Sequence, residues 1–136
     1  SLVKIYMLPT DIKLHLKSGI LELQYTDAFF KLGAEFLRVH SPSAEVRGHG
    51  PGQEVLQVAK KNVMITKIDQ VGNYALRLHF DDDHNTGIYT WEYLRELGIN
   101  QASMWEQYLQ KLKTAGQSRQ PLEKDIQVVT ITPLKS

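Results

Sequence analysis

The residues with the most chemical potential lie between Tyr74 and Arg95, in the run YALRLHFDDDHNTGIYTWEYLR. Five polar or ionisable groups, His79, Asp81, Asp82, Asp83 and His84, gather where a strand is expected to end. His79-Phe80-Asp81 has the His-x-Asp form of a mononuclear iron site, and strand alternation puts both side chains on one face. Such a site needs a third ligand further on, and no histidine follows His84. A loose divalent-ion site from Asp81, Asp83 and His84 remains chemically open. The commoner role of such a cluster is a solvated turn whose aspartates bind backbone donors. The triplet lacks the alternating oxygens and central glycine of a calcium loop.

A second group sits in residues 40–53, HSPSAEVRGHGPGQ. Ser41 and Ser43 share this stretch with His40, His49 and Glu45, and a hydroxyl beside an imidazole is the start of a nucleophile–base pair. No Gly-x-Ser-x-Gly elbow is present, and serines flanking a proline usually form turns. Arg47-Gly48-His49-Gly50-Pro51-Gly52 offers backbone amides and charge to an anion but lacks the Lys-Ser/Thr of a phosphate loop. The Lys60-Lys61 pair and Lys111 with Lys113 read as solvated faces. Arg38 and Arg95 each follow an apolar residue at a helix end. Structural pairing is favoured for both, by capping carbonyls or by reaching the acidic turn.

These groups must be positioned by regular elements. Ile12, Leu14 and Leu16 alternate, Ser18-Gly19 turns the chain, and Leu21, Leu23 and Tyr25 alternate again, which predicts an N-terminal hairpin. Thr26 or Asp27 can cap a helix carrying Ala28, Phe29, Leu32, Phe36 and Leu37 on one face. Residues 40–53 read as an irregular loop. A strand over Val63–Ile68 turns at Gly72-Asn73 into a strand over Tyr74–Phe80. A helix from about Thr90 to Leu97 follows, with Trp91 and Leu94 inward and Gly98 as C-cap. A last helix starts at Asn100 or Ser103, carries Met104, Trp105, Tyr108, Leu109 and Leu112, and ends at Gly116. Residues 117–124 read as an exposed linker, and 126–131 as a further strand or a tail. The fold class is α+β, antiparallel hairpins packed with two to three helices.

Composition bounds the function. The 136 residues suit one domain, and 42% hydrophobic content supports a core without disulfides. Sixteen basic and 15 acidic residues leave a net charge of +1, which argues against nucleic-acid or membrane-surface binding. The absence of cysteine removes disulfides, thiol catalysis, iron–sulfur ligation and cysteine zinc sites. No apolar run approaches the roughly 20 residues of a membrane helix. The opening residues lack a signal-peptide core, so a soluble cytoplasmic protein is expected.

Three segments together carry a resemblance: Phe36-Leu37-Arg38-Val39-His40-Ser41-Pro42, Val71-Gly72-Asn73-Tyr74-Ala75-Leu76, and His84-Asn85-Thr86-Gly87-Ile88-Tyr89-Thr90-Trp91-Glu92-Tyr93-Leu94-Arg95. They resemble the gamma-butyrobetaine hydroxylase-like N-terminal domain over roughly residues 8–98. Residues 99–136 look like the helical extension and tail of stand-alone bacterial members, within the same globular unit. Relatives of this type occur alone, ahead of an iron oxygenase domain, or with Mrp-type iron–sulfur carrier ATPases. In the hydroxylases the domain is non-catalytic, binds zinc through three cysteines and a histidine, and supports dimer assembly. Carried over, the cysteine positions fall on Ser41, Ser43 and Val46, and the histidine on His84. Three of the four ligands are therefore replaced, and no zinc, iron or other cofactor is expected. The resemblance implies instead that His84 hydrogen-bonds to Ser41 or Ser43 and holds the loop against the turn. The 136 residues are accounted for by the module and its extension, so no oxygenase chemistry is expected of them.

The expected function is a small non-catalytic adaptor or assembly module. Its interaction surface would include Arg38, His40, Ser41, Ser43, Asp83, His84 and Arg95, its partner would be a protein, and a homodimer is compatible. The alternative is a metal-binding or iron–sulfur accessory protein, with His40, His49, His79, His84, Asp81 and Asp83 as its ligands. A third reading is a small-molecule enzyme in which His40 or His49 touches Ser41 or Ser43.

Overall fold

The structure, a computed structural model, describes residues 8–121 and residue 129. Two three-stranded antiparallel sheets share one core. Strands β1 (Asp11–His15), β2 (Ile20–Gln24) and β3 (Phe29–Gly33) make the first, with β2 central. Strands β4 (Ile65–Val71), β5 (Ala75–Phe80) and β6 (Ile88–Thr90) make the second, with β5 central. Helices α1 (Ala34–Val39) and α2 (Ala44–Arg47) follow the first sheet, and α3 (Trp91–Ile99) and α4 (Gln101–Ala115) follow the second. The α+β class is as expected, with both hairpins in place and a third strand added to each.

The β3 strand corrects the helix expected from Ala28 onward. Thr26 and Asp27 form a tight turn closed by Tyr25 N–H donating to Ala28 O at 2.7 Å. Phe30 then opposes Leu23, and Leu32 opposes Leu21, in register across the sheet. Phe29 and Lys31 face outward. Aromatic and alternating positions suit a pleated surface, and the helical spacing of Phe29, Leu32 and Phe36 spans a strand–helix junction. Gly33, in extended conformation, starts the short helix α1.

The second sheet shows the same economy of connection. β4 and β5 pair through the Gly72-Asn73 turn, with a register shift between Ile65 and Lys67. After the acidic turn, β6 returns along β5 and places Tyr89 opposite Leu76. Thr90 then caps α3, its hydroxyl accepting from Tyr93 N–H at 3.1 Å. Gly98 is not the C-cap: α3 runs on to Ile99, and Gly98 packs against the Phe30 ring, where a Cβ would collide. Its role is close approach between α3 and β3.

Leu21, Leu23, Leu32, Leu37, Leu78, Tyr89, Leu94 and Leu97 are fully buried in the main core, to which both sheets contribute. A smaller cluster joins Val39 to Tyr108 and Leu112, with Leu56 and Val58 against it. Trp105 touches both clusters, so α4 is integral to the packing. Leu109, expected in its apolar stripe, is 40% exposed. Gly116, at φ 65°, ends α4 as expected.

The segment after Gly116 is tied down, as far as residue 121. Ala59 N–H donates to Ser118 O at 2.9 Å and Lys61 N–H to Arg119 O at 3.0 Å. Arg119 makes two bonds to Glu35, at 2.8 and 2.6 Å, and lies over the Trp105 ring. The expected linker is exposed at 117, 118, 120 and 121, and it is bonded to the body, as a strap, through Ser118 and Arg119. The strand or tail expected at 126–131 lies outside the described residues, apart from Val129.

Candidate functional site

The 41–47 segment is locked to the acidic turn by a hydrogen-bond relay that is buried at Ser41 and His84 and exposed at Glu45. Ser41 and His84 are 2% and 4% exposed, and Ser41 Oγ lies 2.8 Å from His84 Nε2. His84 Nδ1 faces the Glu45 carboxylate at 3.4 Å. Because that carboxylate accepts only, Nδ1 carries the proton and Nε2 accepts from the Ser41 hydroxyl. Ser41 Oγ in turn accepts from Ser43 N–H at 3.3 Å. Glu45 also accepts from the Thr86 hydroxyl at 3.2 Å. Burial and the nearby Arg38 charge hold His84 below the usual histidine pKa, so it is neutral near pH 7. Tyr89 donates to Leu37 O behind this relay, and burial keeps its phenol protonated.

Serine, histidine and carboxylate in a row match the order of a hydrolase triad. The geometry denies that role. A nucleophile must reach substrate, and Ser41 Oγ is enclosed: a Cβ on Gly87 would run into it, and Tyr89 and Pro42 line the same spot. His40 and His49 do not supply the serine contact of the enzyme reading. His40 Nδ1–H donates to Phe36 O at 2.8 Å instead.

The four positions implied as a zinc site are all buried and linked in series: His84 to Ser41, Ser43 N–H to Ser41 Oγ, and Val46 N–H to Ser43 O. Their chemistry does not suit zinc. Val46 has no donor, both His84 nitrogens face protein partners, and Ser43 Oγ is a buried neutral hydroxyl with no hydrogen-bond partner. Among the described residues no three His, Cys, Asp or Glu side chains converge to hold a metal ion. His79 of the His-x-Asp pair bonds Asp69 at 2.7 Å, across the β4–β5 ladder. Asp81 accepts from Met64 N–H at 3.1 Å.

The two arginines pair structurally, in different places. Buried Arg38 reaches the acidic turn, with Nε 2.9 Å from Asp82 Oδ2 and Nη1 2.9 Å from Gln57 Oε1. Lys60 joins the same carboxylate at 2.5 Å, so it is not a free solvated charge. Burial alone would raise the Asp82 pKa, but Lys60 and Arg38 together bring it below the usual range. Arg95 makes a two-pronged pair with Asp27 and lies over Tyr25, remote from that turn. Asp83 is exposed, with φ 65°, and serves turn geometry.

Beside the relay lies a groove of about 760 Å³, walled by the 46–57 segment on one side and α3 and α4 on the other. Its wall is rigidly bonded. Tyr93 donates to His40 O at 2.6 Å and Tyr108 to Gln57 O at 2.7 Å; Tyr93 is half-buried at the groove, and Tyr108 lies beneath it, packed with Val39 and Leu112. The Arg47 guanidinium stands 5.3 Å over the Tyr93 ring. Of the expected surface residues, His40 and Ser41 line this groove, whereas Arg95 and Asp83 do not. Tyr93, Gln57, Tyr108 and Lys111 complete it. No sequence spacing announces them, because they come from a loop and two helices brought together by folding.

The fold and this site define a small α+β module in which a serine–histidine relay backs an open groove. The sequence matches the family described as gamma-butyrobetaine hydroxylase-like, N-terminal, over residues 12–95, and the chain belongs to that family. Two NMR solution structures resemble it with TM-scores of 0.76 and 0.70. They are 46% and 47% identical; each match covers 90% of this chain, and 98% and 92% of theirs. A crystal structure of a protein of unknown function of the DUF971 family, from Acidithiobacillus ferrooxidans, has a TM-score of 0.57 and 36% identity. That match covers 69% of this chain and 96% of that one. No curated protein matches the chain. Among the described residues no helix is long and apolar enough to cross a membrane.

Proposed function

We propose that this protein is a non-catalytic cytoplasmic module that binds a protein partner in the groove between the 46–57 segment and helices α3 and α4. The observation that carries this reading is the preorganised groove itself. Its aromatic wall is held by the Tyr93 and Tyr108 bonds to backbone carbonyls. Rigid aromatic surface costs little entropy on binding, which is why such residues dominate interface energetics. The enclosed Ser41 supports a binding role over a catalytic one. The proposed surface shifts from the 81–87 turn toward α4, because the relay and Arg38 use that turn internally.

Affinity capture from the native cell tests the proposal. Wild type is compared with a Val55→Glu, Gln107→Glu variant, both at exposed groove positions. The expected result is a partner retained by wild type and lost by the variant. A partner held equally by both, or turnover of a metabolite by the purified protein, would overturn it.

A further inference from the structure

The groove carries an electrostatic bias, and this inference rests on the binding reading above. Arg47 and Lys111 both line it. Neither takes part in an ion pair among the described residues. Arg38, Arg95 and Arg119 are tied to carboxylates, to Asp82, Asp27 and Glu35, whereas Arg47 and Arg77 are in no ion pair among the described residues, and of these two only Arg47 lines the groove. Arg47 is instead held at Tyr93, over its ring and by a hydrogen bond to its phenol, with other guanidinium donors uncommitted. His49 and half-buried His40 lie in the same lining. Glu54 is the one carboxylate there, and it accepts from Gly52 N–H at 3.3 Å.

Between the cations the surface is apolar. Leu56, Met104 and Tyr93 line it partly exposed above buried Val39, Val46 and Tyr108, and Val55 stands 53% exposed at its rim. A small-molecule site encloses most of its ligand. This groove is open to solvent, with its cations supplied by two separate elements, α2 and α4. That form suits an extended chain laid along it.

We infer that the groove docks an acidic peptide segment of a partner protein. The peptide's apolar side chains lie on Tyr93, Leu56 and Val55, and its carboxylates meet Arg47 and Lys111. Arg47 can engage a carboxylate through two parallel N–H bonds while keeping its ring stack, whereas Lys111 acts as a point charge.

Amide NMR spectra of the 15N-labelled full chain provide the test. Three probes are titrated: a short peptide of alternating Glu and Leu, the same peptide with Lys for Glu, and free succinate. The Glu peptide is expected to shift resonances of the 46–57 segment, Tyr93, Tyr108 and Lys111. An Arg47→Gln, Lys111→Glu variant should weaken it about tenfold, since two exposed charges together are worth about 1.4 kcal/mol. Added salt should weaken it in wild type and much less in the variant. Unchanged resonances elsewhere in the variant show that the fold is kept. If the Lys peptide binds the groove as well, or succinate reproduces the shifts at equal affinity, the acidic-peptide inference is overturned while the groove remains a binding site. If no probe shifts groove residues, the inference falls and the capture experiment alone decides the broader reading.

Discussion

Ser41 and His84 are 43 residues apart and share one buried hydrogen bond. Removing the hydroxyl leaves His84 Nε2 desolvated and unpaired, and such a loss costs about 1–3 kcal/mol. Ser41→Ala should lower the unfolding free energy by about that amount in urea titrations, with an unchanged m-value. Zinc content offers a separate check on the same residues. Purified protein should hold substoichiometric zinc by elemental analysis, and His84→Ala should leave that value unchanged.

The pH dependence of stability also belongs to single residues. Burial first, then the Arg38 charge, lowers the His84 pKa, with Glu45 and Asp82 opposing. Burial lowers His40 as well, with the Phe36 carbonyl opposing and Lys111 adding to the decrease. Both are neutral in the folded protein near neutrality. The unfolded chain, with histidine near 6.5, takes up protons first as pH falls. Stability is therefore full above about pH 6.5 and declines below it, levelling once the folded pKa values are passed. Melting temperatures between about pH 7.5 and pH 5 should show this decline. Replacing His40 with Gln should flatten it in part, and a rise in stability on acidification would contradict the assignment.

At the scale of elements, helix α3 shows how packing overrides local preference. Gly98 inside a helix is locally unfavourable, and Ala there would gain about 1 kcal/mol from propensity alone. The Phe30 ring occupies the space of that Cβ, and overpacking of this kind costs about 1–3 kcal/mol. Gly98→Ala should therefore destabilise by thermal melting, the opposite sign from the propensity argument. The two hairpins were legible because alternation and Gly-containing turns are local signals. The β3 strand was not, because Phe29, Leu32 and Phe36 also fit a helical face. Its pairing with β2 settled the matter through Leu23–Phe30 and Leu21–Leu32 contacts. The short β6 strand had too few residues to show a period.

For the molecule as a whole, α4 and the strap after it close the second cluster. Arg119 joins Glu35 from α1 while covering Trp105 from α4. Charge-assisted bonds of this kind are stronger than neutral ones, although Arg119 is a third exposed and screening reduces its effect. Arg119→Ala should cost about 1 kcal/mol. Hydrogen exchange should speed up at Ala59 and Lys61, whose amides bond the strap, before it does in β2 or β5.

By itself the sequence determined the α+β class, the family and the Gly116 helix end, and it left His84 with Ser41 or Ser43, between which the structure chose Ser41. Those rest on short-range patterns or on a motif whose residue types are distinctive. Only the tertiary structure decided the partners of Arg38 and Arg95, the reason for Gly98, and the groove. Each depends on side chains from segments far apart in the chain, and sequence periodicity carries no information about which distant faces meet. In the sequence, 64 positions apart, Arg47 belongs to a glycine-rich run that offers charge to an anion and Lys111 to a solvated face, and nothing links the two. The folded chain sets them on one groove, because α2 is tethered to the acidic turn and α4 packs its Tyr108 against the Gln57 backbone.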